Sequence, residues 1–283
     1  MKSQIEFNWI FIIIAGAIIL TFFVTFAFKY KSVQEEKLSV DLLINLDKAL
    51  YNLQASPYAT FDIIDIPKDL QITCNDLKIG DRSYSNNNLI FSPENLKDKI
   101  YIYFKQFNFP FKVDNFYYII SPGNNFYLVY NQNDQKAKEF TEDLINNLPE
   151  KFKNNIKIST IRKPNAKNIF INTNAQPNDV KITINDKITI NYNNINYEDV
   201  NQELVYGAIF SDDFDCVYKK IKPRFENVIN SYEKKLVLLQ NSNCNYAILN
   251  QYLQKLKNFH YSDTKIIEIL NQDLASLNCP ILY

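Results

Sequence analysis

Glycine is nearly missing from this chain: Gly16, Gly80, Gly123 and Gly207 are the only four in 283 residues. A Walker loop or a dinucleotide fingerprint needs clustered glycines, so that phosphate can approach backbone N–H groups, and these four are scattered. Histidine is scarcer still. The single His260 removes most zinc sites and leaves room for one Ser-His-Asp or Cys-His arrangement at most. H-E-x-x-H, C-x-x-C and G-x-S-x-G do not occur, nor does an Asn-x-Ser/Thr sequon despite abundant Asn. No surplus of positive charge exists either, with 31 basic against 31 acidic residues. That balance argues against a general nucleic-acid binder, which needs Lys and Arg in excess to neutralise phosphates. The plentiful Asn, Lys, Ile, Tyr and Phe read first as the codon bias of an AT-rich genome.

One long stretch also lacks charge altogether. Between Glu6 and Lys29 lie 22 uncharged residues, Phe7 to Phe28, in a chain whose overall mean hydropathy is −0.26. At about 1.5 Å per residue a helix of that length crosses the roughly 30 Å hydrocarbon core of a bilayer. A cleaved signal peptide would have a shorter apolar region and a small-x-small site at its end. Here Phe26-Ala27-Phe28 runs straight into Lys29, Tyr30 and Lys31. The expectation is therefore a short tail over 1–6 and a retained transmembrane helix over 7–29, with Trp9 and Tyr30 suited to the interfacial belts. Orientation has signals both ways. Lys29, Lys31 and Lys37 favour a cytoplasmic C-terminal part by the positive-inside rule. The short tail and the even cysteine count favour an extracytoplasmic one, which is the reading adopted.

Residues 30–56 continue as an amphipathic stalk helix, with Leu42, Leu46, Ala49, Leu50 and Leu53 on one face. Ser56-Pro57 ends it, because the residue before proline avoids helical dihedrals. The stripe must be covered, either by the following domain or by another stalk. From 57 to 206 the pattern is β-rich, with strand signals at 61–66, 70–74, 99–107, 115–121, 125–131, 156–161, 168–173, 180–184 and 188–192. Ser121-Pro122-Gly123-Asn124 suits a type II turn. Asn185-Asp186 between two alternating runs suits a two-residue hairpin. One inserted helix, at 134–147, joins strand 125–131 to strand 156–161, as in a βαβ crossover. From 207 to 283 the signal is helical. Three apolar periodic runs are separated by Asn241-Ser242-Asn243 and Phe259-His260-Tyr261, and this part is expected to pack on the β domain.

Cys74, Cys216, Cys244 and Cys279 are spaced unlike zinc ligands. In an oxidising compartment four cysteines allow three pairings; in a reducing one they are small buried hydrophobes. Three helices running up, down and up place Cys244 near Cys279, which leaves Cys74 for Cys216. The densest acidic cluster is Ser211-Asp212-Asp213-Phe214-Asp215-Cys216. Asp212, Asp213 and Asp215 are candidate ligands for a hard cation. The competing reading is a helix start with acids near the positive dipole end, and it is preferred because the glycine and distal glutamate of a calcium hand are absent. His260 would need a nucleophile and an orienting acid to work as a base, and Asp263 beside it is better placed as a helix cap. The aromatics from Tyr101 to Tyr130 are read as core rather than as a ligand surface. Lys219, Lys220, Lys222, Arg224, Lys234 and Lys235 are read as solvated helix faces.

Two resemblances follow from particular residues. The start, Lys2-Ser3-Gln4-Ile5-Glu6-Phe7 before the apolar run, resembles the leader of archaeal type IV pilins. That resemblance implies cleavage between Ser3 and Gln4 and assembly through the long helix. Here Ser3 stands in place of the usual glycine, and Glu6 would be third rather than fifth after the cut. Phe7-Asn8-Trp9-Ile10-Phe11, Ala15-Gly16-Ala17-Ile18-Ile19-Leu20 and the segment from Leu204 to Asp213 resemble a family of uncharacterised single-pass membrane proteins of small-genome archaea, which implies a topology but no activity. The expectation taken forward is an α+β protein anchored in the bilayer through residues 7–29. It would have a partner protein or copies of itself as partners, no nucleic acid, no cofactor and no catalytic grouping. Two alternatives stand beside it, a pilin-like filament subunit and a membrane-bound enzyme using carboxylates around Asp212.

Overall fold

The computed structural model describes residues 2–54, 60–177, 179–239, 244–257 and 261–283, and their side chains except at 2–8, 60, 61 and 67. Helix α1 is a single unbroken rod, Lys2–Gln54, 53 residues long, or about 80 Å at helical rise. The expected stop at Ser56-Pro57 lies outside the described residues. Along its first half every large apolar side chain from Trp9 to Phe28 is exposed. Along its second half Ser39, Leu43, Leu46 and Leu50 are buried at helical spacing, with Leu42 and Leu53 packed alongside. The buried stripe is thus centred about one residue away from the one read in the sequence. Its cover is the chain's own first sheet.

That sheet has strand order β3-β2-β1-β5-β6-β4, built from β1 (Thr60–Ile72), β2 (Asp76–Ile79), β3 (Arg82–Ser85), β4 (Leu89–Phe91), β5 (Asn95–Asn108) and β6 (Lys112–Ile120). Strand β1 unites the two runs read separately at 61–66 and 70–74. Its register against β5 shifts between Ile66 and Leu70, where Pro67 has no N–H to give to the ladder. The β2–β3 hairpin, unsignalled by apolar alternation, turns at Gly80, whose φ of +59° is costly for any side chain with a Cβ.

On the β5–β6–β4 side both faces of this sheet are buried, which explains why Tyr101–Phe104, Phe116–Ile120 and Leu89–Phe91 are continuous apolar runs rather than alternating ones. Ile100, Ile102, Phe104, Tyr117 and Ile119 face α1. Tyr103, Phe107, Phe116, Tyr118 and Ile120 face the main core, as the two-residue period of a strand requires. The aromatics between Tyr101 and Tyr130 are therefore mostly core.

The second sheet has order β12-β11-β10-β9-β7-β8, from β7 (Phe126–Val129), β8 (Ile156–Ser159), β9 (Lys167–Ile171), β10 (Val180–Ile184), β11 (Ile188–Tyr192) and β12 (Ile195–Tyr197). Its centre is parallel: β8, β7, β9 and β10 run the same way, so this sheet is mixed within a mostly antiparallel domain. The β7–β8 connection is helical, through α2 (Gln135–Asn146) and a short α3 (Glu150–Lys153), as parallel pairing demands. Asp134 caps α2 by accepting from the Ala137 N–H at 3.0 Å. Two turns differ from their sequence reading. The turn at 121–124 closes by a hydrogen bond from Asn124 N–H to the Ser121 carbonyl, but Gly123 does not take the positive φ that a type II turn needs there. The Asn155 carboxamide instead clamps the Ser121 and Pro122 carbonyls. The β10–β11 loop holds three residues, because Ile184 pairs directly with Ile188. A true two-residue hairpin follows at Asn193-Asn194, both with positive φ, joining β11 to β12.

Helix α4 (Gln202–Phe210) straddles the boundary expected at 206/207, and Gly207 lies inside it. Asn201 starts it by accepting from the Leu204 N–H at 3.1 Å. Every residue from Leu204 to Phe210 is buried, the pattern of a helix enclosed on all sides. Gly207 permits that enclosure, since a Cβ there would stand 2.7 Å from the Phe91 ring. Then come α5 (Phe214–Leu239), α6 (Ala247–Leu256) and α7 (Thr264–Ser276). The turn at Asn241-Ser242-Asn243 lies outside the described residues, as do Phe259 and His260. Buried tyrosines pin these layers together. Tyr117 Oη donates to the Leu50 carbonyl of α1 at 3.0 Å, Tyr118 Oη to Glu203 at 2.9 Å, and Tyr206 Oη to Leu144 at 2.8 Å.

Candidate functional site

The acidic cluster at 211–216 forms the elbow between α4 and α5, where both sheets meet. Ser211 Oγ accepts from the Asp213 N–H at 3.0 Å, a local side-chain cap that lets the backbone reverse. Asp215 sits in the first turn of α5, where the helix dipole favours an acid.

The three carboxylates do not converge. Asp212 Oδ2 accepts from the Glu94 N–H at 3.1 Å, and its Oδ1 lies 3.6 Å from Lys167 Nζ. Asp215 Oδ1 accepts from Tyr197 Oη at 2.6 Å, and its other oxygen pairs with Lys219. Burial works against the charge on Asp215, yet Lys219 and the Tyr197 hydroxyl together hold its carboxyl below the usual range. Asp213 turns toward Cys74 and Cys216. Among the described residues, these three supply the only set of possible ligand atoms lying within 4.8 Å of one another. Asp212, Asp213 and Asp215 therefore stand as separate partners of three elements rather than as a shared cation cage.

The cysteines occur as two disulfides, Cys74–Cys216 and Cys244–Cys279, each with Cα atoms 5.9 Å apart. The first joins the end of β1 to the start of α5, across 142 residues; the second joins the start of α6 to the segment after α7, across 35. Of the basic groups read as solvated, Lys220 and Arg224 are half-buried and Lys235 donates to the Leu282 carbonyl. Lys220 donates to the Cys74 carbonyl, and Arg224 pairs with Asp114 and with Asn87. Ser3 and Gln4 lie in the first turn of α1, and their side chains fall outside the described ones, as does His260.

A residue that the sequence did not single out stands at the centre of the elbow. Lys167 opens β9 and reaches the Ser211 carbonyl with its ammonium, with the Tyr192 ring 5.9 Å below. Its side chain is only 19% exposed. Burial pulls its pKa down to about 8, and Asp212 offsets that only in part. The Tyr192 hydroxyl donates to the Asp212 carbonyl at 2.6 Å, and burial pushes its own pKa up to about 12. Beside the amine is a cavity of about 320 Å³ lined by the turn at 123–126, by Pro93, by residues 165–167 and by Asp212. A periodicity reading gives no signal for such a site. Lys167 and Asp212 are 45 residues apart, and a lone Lys at the start of a strand reads as surface.

No protein-family model, no curated protein and no solved structure matches this chain.

Proposed function

We propose that this chain is a membrane-anchored surface protein whose α+β head is an interaction domain for a partner protein or for further copies of itself. The exposed first half of α1 carries this reading. Fourteen large apolar side chains between Trp9 and Phe28 stand exposed on it. At roughly 1.5 kcal/mol each, leaving them in water costs on the order of 20 kcal/mol. A whole domain's net stability is only about 5–15 kcal/mol. Lipid is the cover of matching length, and among the described residues one helix is long and apolar enough to cross a bilayer.

The second half of α1 fixes how the head is held. Lys68 Nζ donates to the Glu35 carbonyl at 3.2 Å, and Arg82 pairs with Glu36. The head thus begins about 10 Å beyond Lys29 along the helix, seated close to the bilayer surface rather than on a free stalk. Disulfides persist in oxidising compartments, so the two pairs support an extracytoplasmic head. A membrane-impermeant thiol reagent applied to intact cells tests this. Labelling only after reduction, with the protein resisting alkaline extraction from membranes, is the expected result. Labelling that requires cell lysis, or release into the alkaline supernatant, refutes it.

The unbroken passage of α1 from exposed rod to sheet-packed helix also favours a second reading, a pilin-like filament subunit resembling the archaeal type IV pilins. N-terminal sequencing of the mature protein separates the two. A start at Gln4 supports the filament, and an intact or merely demethionylated terminus removes it.

A further inference from the structure

Lys167 is an amine in an unusual position. Its side chain is 19% exposed, its ammonium lies 3.6 Å from the Asp212 carboxylate, and it opens onto a cavity of about 320 Å³. Asn124, Asn125 and Asn165 line that cavity with it; Asn124 Oδ1 accepts from the Ser121 N–H and Asn125 Nδ2 donates to the Gly123 carbonyl, so each of these two carboxamides is held in place with its other polar atom left to meet a hydroxyl group. The volume is at the lower end for small-molecule sites, enough for a ligand of a few carbons. With a pKa near 8, roughly a tenth of the amine is neutral at pH 7, against well under 0.1% for an ordinary lysine at about 10.4. A desolvated lysine of this kind is the form that attacks carbonyl carbon.

We infer that the Lys167 cavity is a reactive-amine site that captures a small hydroxylated aldehyde as an imine. The neutral Nζ lone pair forms a bond to the carbonyl carbon while the C=O π pair moves onto oxygen. A proton passes from Nζ to that oxygen, with Asp212 as the carrier, giving a carbinolamine. The remaining Nζ proton, carried to the hydroxyl oxygen by Asp212, lets that oxygen leave as water while the nitrogen lone pair forms the C=N bond. Amine and aldehyde give imine and water, with no oxidant or reductant required. Asp212, already anchored by the Glu94 N–H, is within reach to relay both protons. The inference holds whether or not α1 lies in lipid.

The full chain in mild detergent, incubated at pH 7 with glyceraldehyde and cyanoborohydride, tests this by peptide mapping of the reduced adducts. Lys167 is expected to be labelled at least tenfold above the median of the other lysines. That selectivity should vanish when the chain is unfolded in urea, and propanal should label Lys167 several-fold less than glyceraldehyde. Asp212→Asn should slow labelling without lowering the thermal midpoint by more than a few degrees. If Lys167 serves only to brace the elbow, its burial protects it and it becomes one of the least labelled lysines, which overturns the inference. Equal labelling by propanal overturns the hydroxylated ligand class.

Discussion

Gly207→Ala isolates the closest approach in the core. The added Cβ would stand 2.7 Å from Phe91 Cε1 and 2.9 Å from both Cδ1 and Cζ, well inside van der Waals contact. The ring has nowhere to go. It is fully buried, edge-on to Phe116 with ring centres 5.1 Å apart, and stacked against Tyr118 at 5.7 Å and Phe214 at 6.0 Å. Alanine in mid-helix would otherwise be favourable by about 1 kcal/mol over glycine. Overpacking costs typically 1–3 kcal/mol, and three contacts on a ring wedged among aromatics belong at the upper end. The expected net loss is about 2 kcal/mol. Phe91→Leu removes the obstructing ring atoms, so in the double variant the alanine should recover its helical advantage of about 1 kcal/mol, giving a coupling of about 3 kcal/mol. Urea titration of the full chain in mild detergent, followed by near-UV circular dichroism of the tyrosines, measures all four corners of the cycle. Stabilisation of about 1 kcal/mol in the single variant, with no coupling, would refute the close-approach argument.

Leu50→Ala empties the seat between α1 and the first sheet, where Leu50 is 1% exposed; a loss of about 2–4 kcal/mol and faster proteolysis around residues 40–54 are expected, and a change below about 1 kcal/mol would mean that the sheet does not hold the helix. Lys167 carries a pH signature whose sign is fixed. Its pKa is lowered to about 8 in the folded chain and is about 10.4 when unfolded, so the unfolded state binds more protons between those values and stability rises with pH across that window. Measured against Lys167→Met, which cancels the alkaline losses from tyrosines such as Tyr192 and Tyr197, the wild-type chain should gain up to about 3 kcal/mol between pH 7 and pH 10; a flat difference in paired urea titrations would contradict the burial of this amine.

Periodicity carried much of the architecture. The charge-free run before Lys29 could only be a long apolar helix, and the helix over 135–146 with parallel strands on either side follows from patterns local to a dozen residues. The Asn193-Asn194 hairpin was missed, although asparagine tolerates the left-handed region, because apolar alternation alone passes over so short a strand as Ile195–Tyr197. Strand β4 is shorter than the pattern that would announce it, and the β2–β3 hairpin has an outer strand with every residue exposed.

What the residues fixed by themselves is the longer elements and the need to cover α1. They left open whether a second stalk or the chain's own domain covers the stripe at Leu43, Leu46 and Leu50. Tertiary structure decides for the first sheet, because the strand period gives its apolar residues to both faces and one face would otherwise stay bare. The same holds at the elbow. Lys167, Tyr192 and Asp212 become neighbours only when β9, β11 and the α4–α5 turn are packed together. Desolvation of the amine, from which its chemistry follows, is a property of that packing and of no local stretch of sequence.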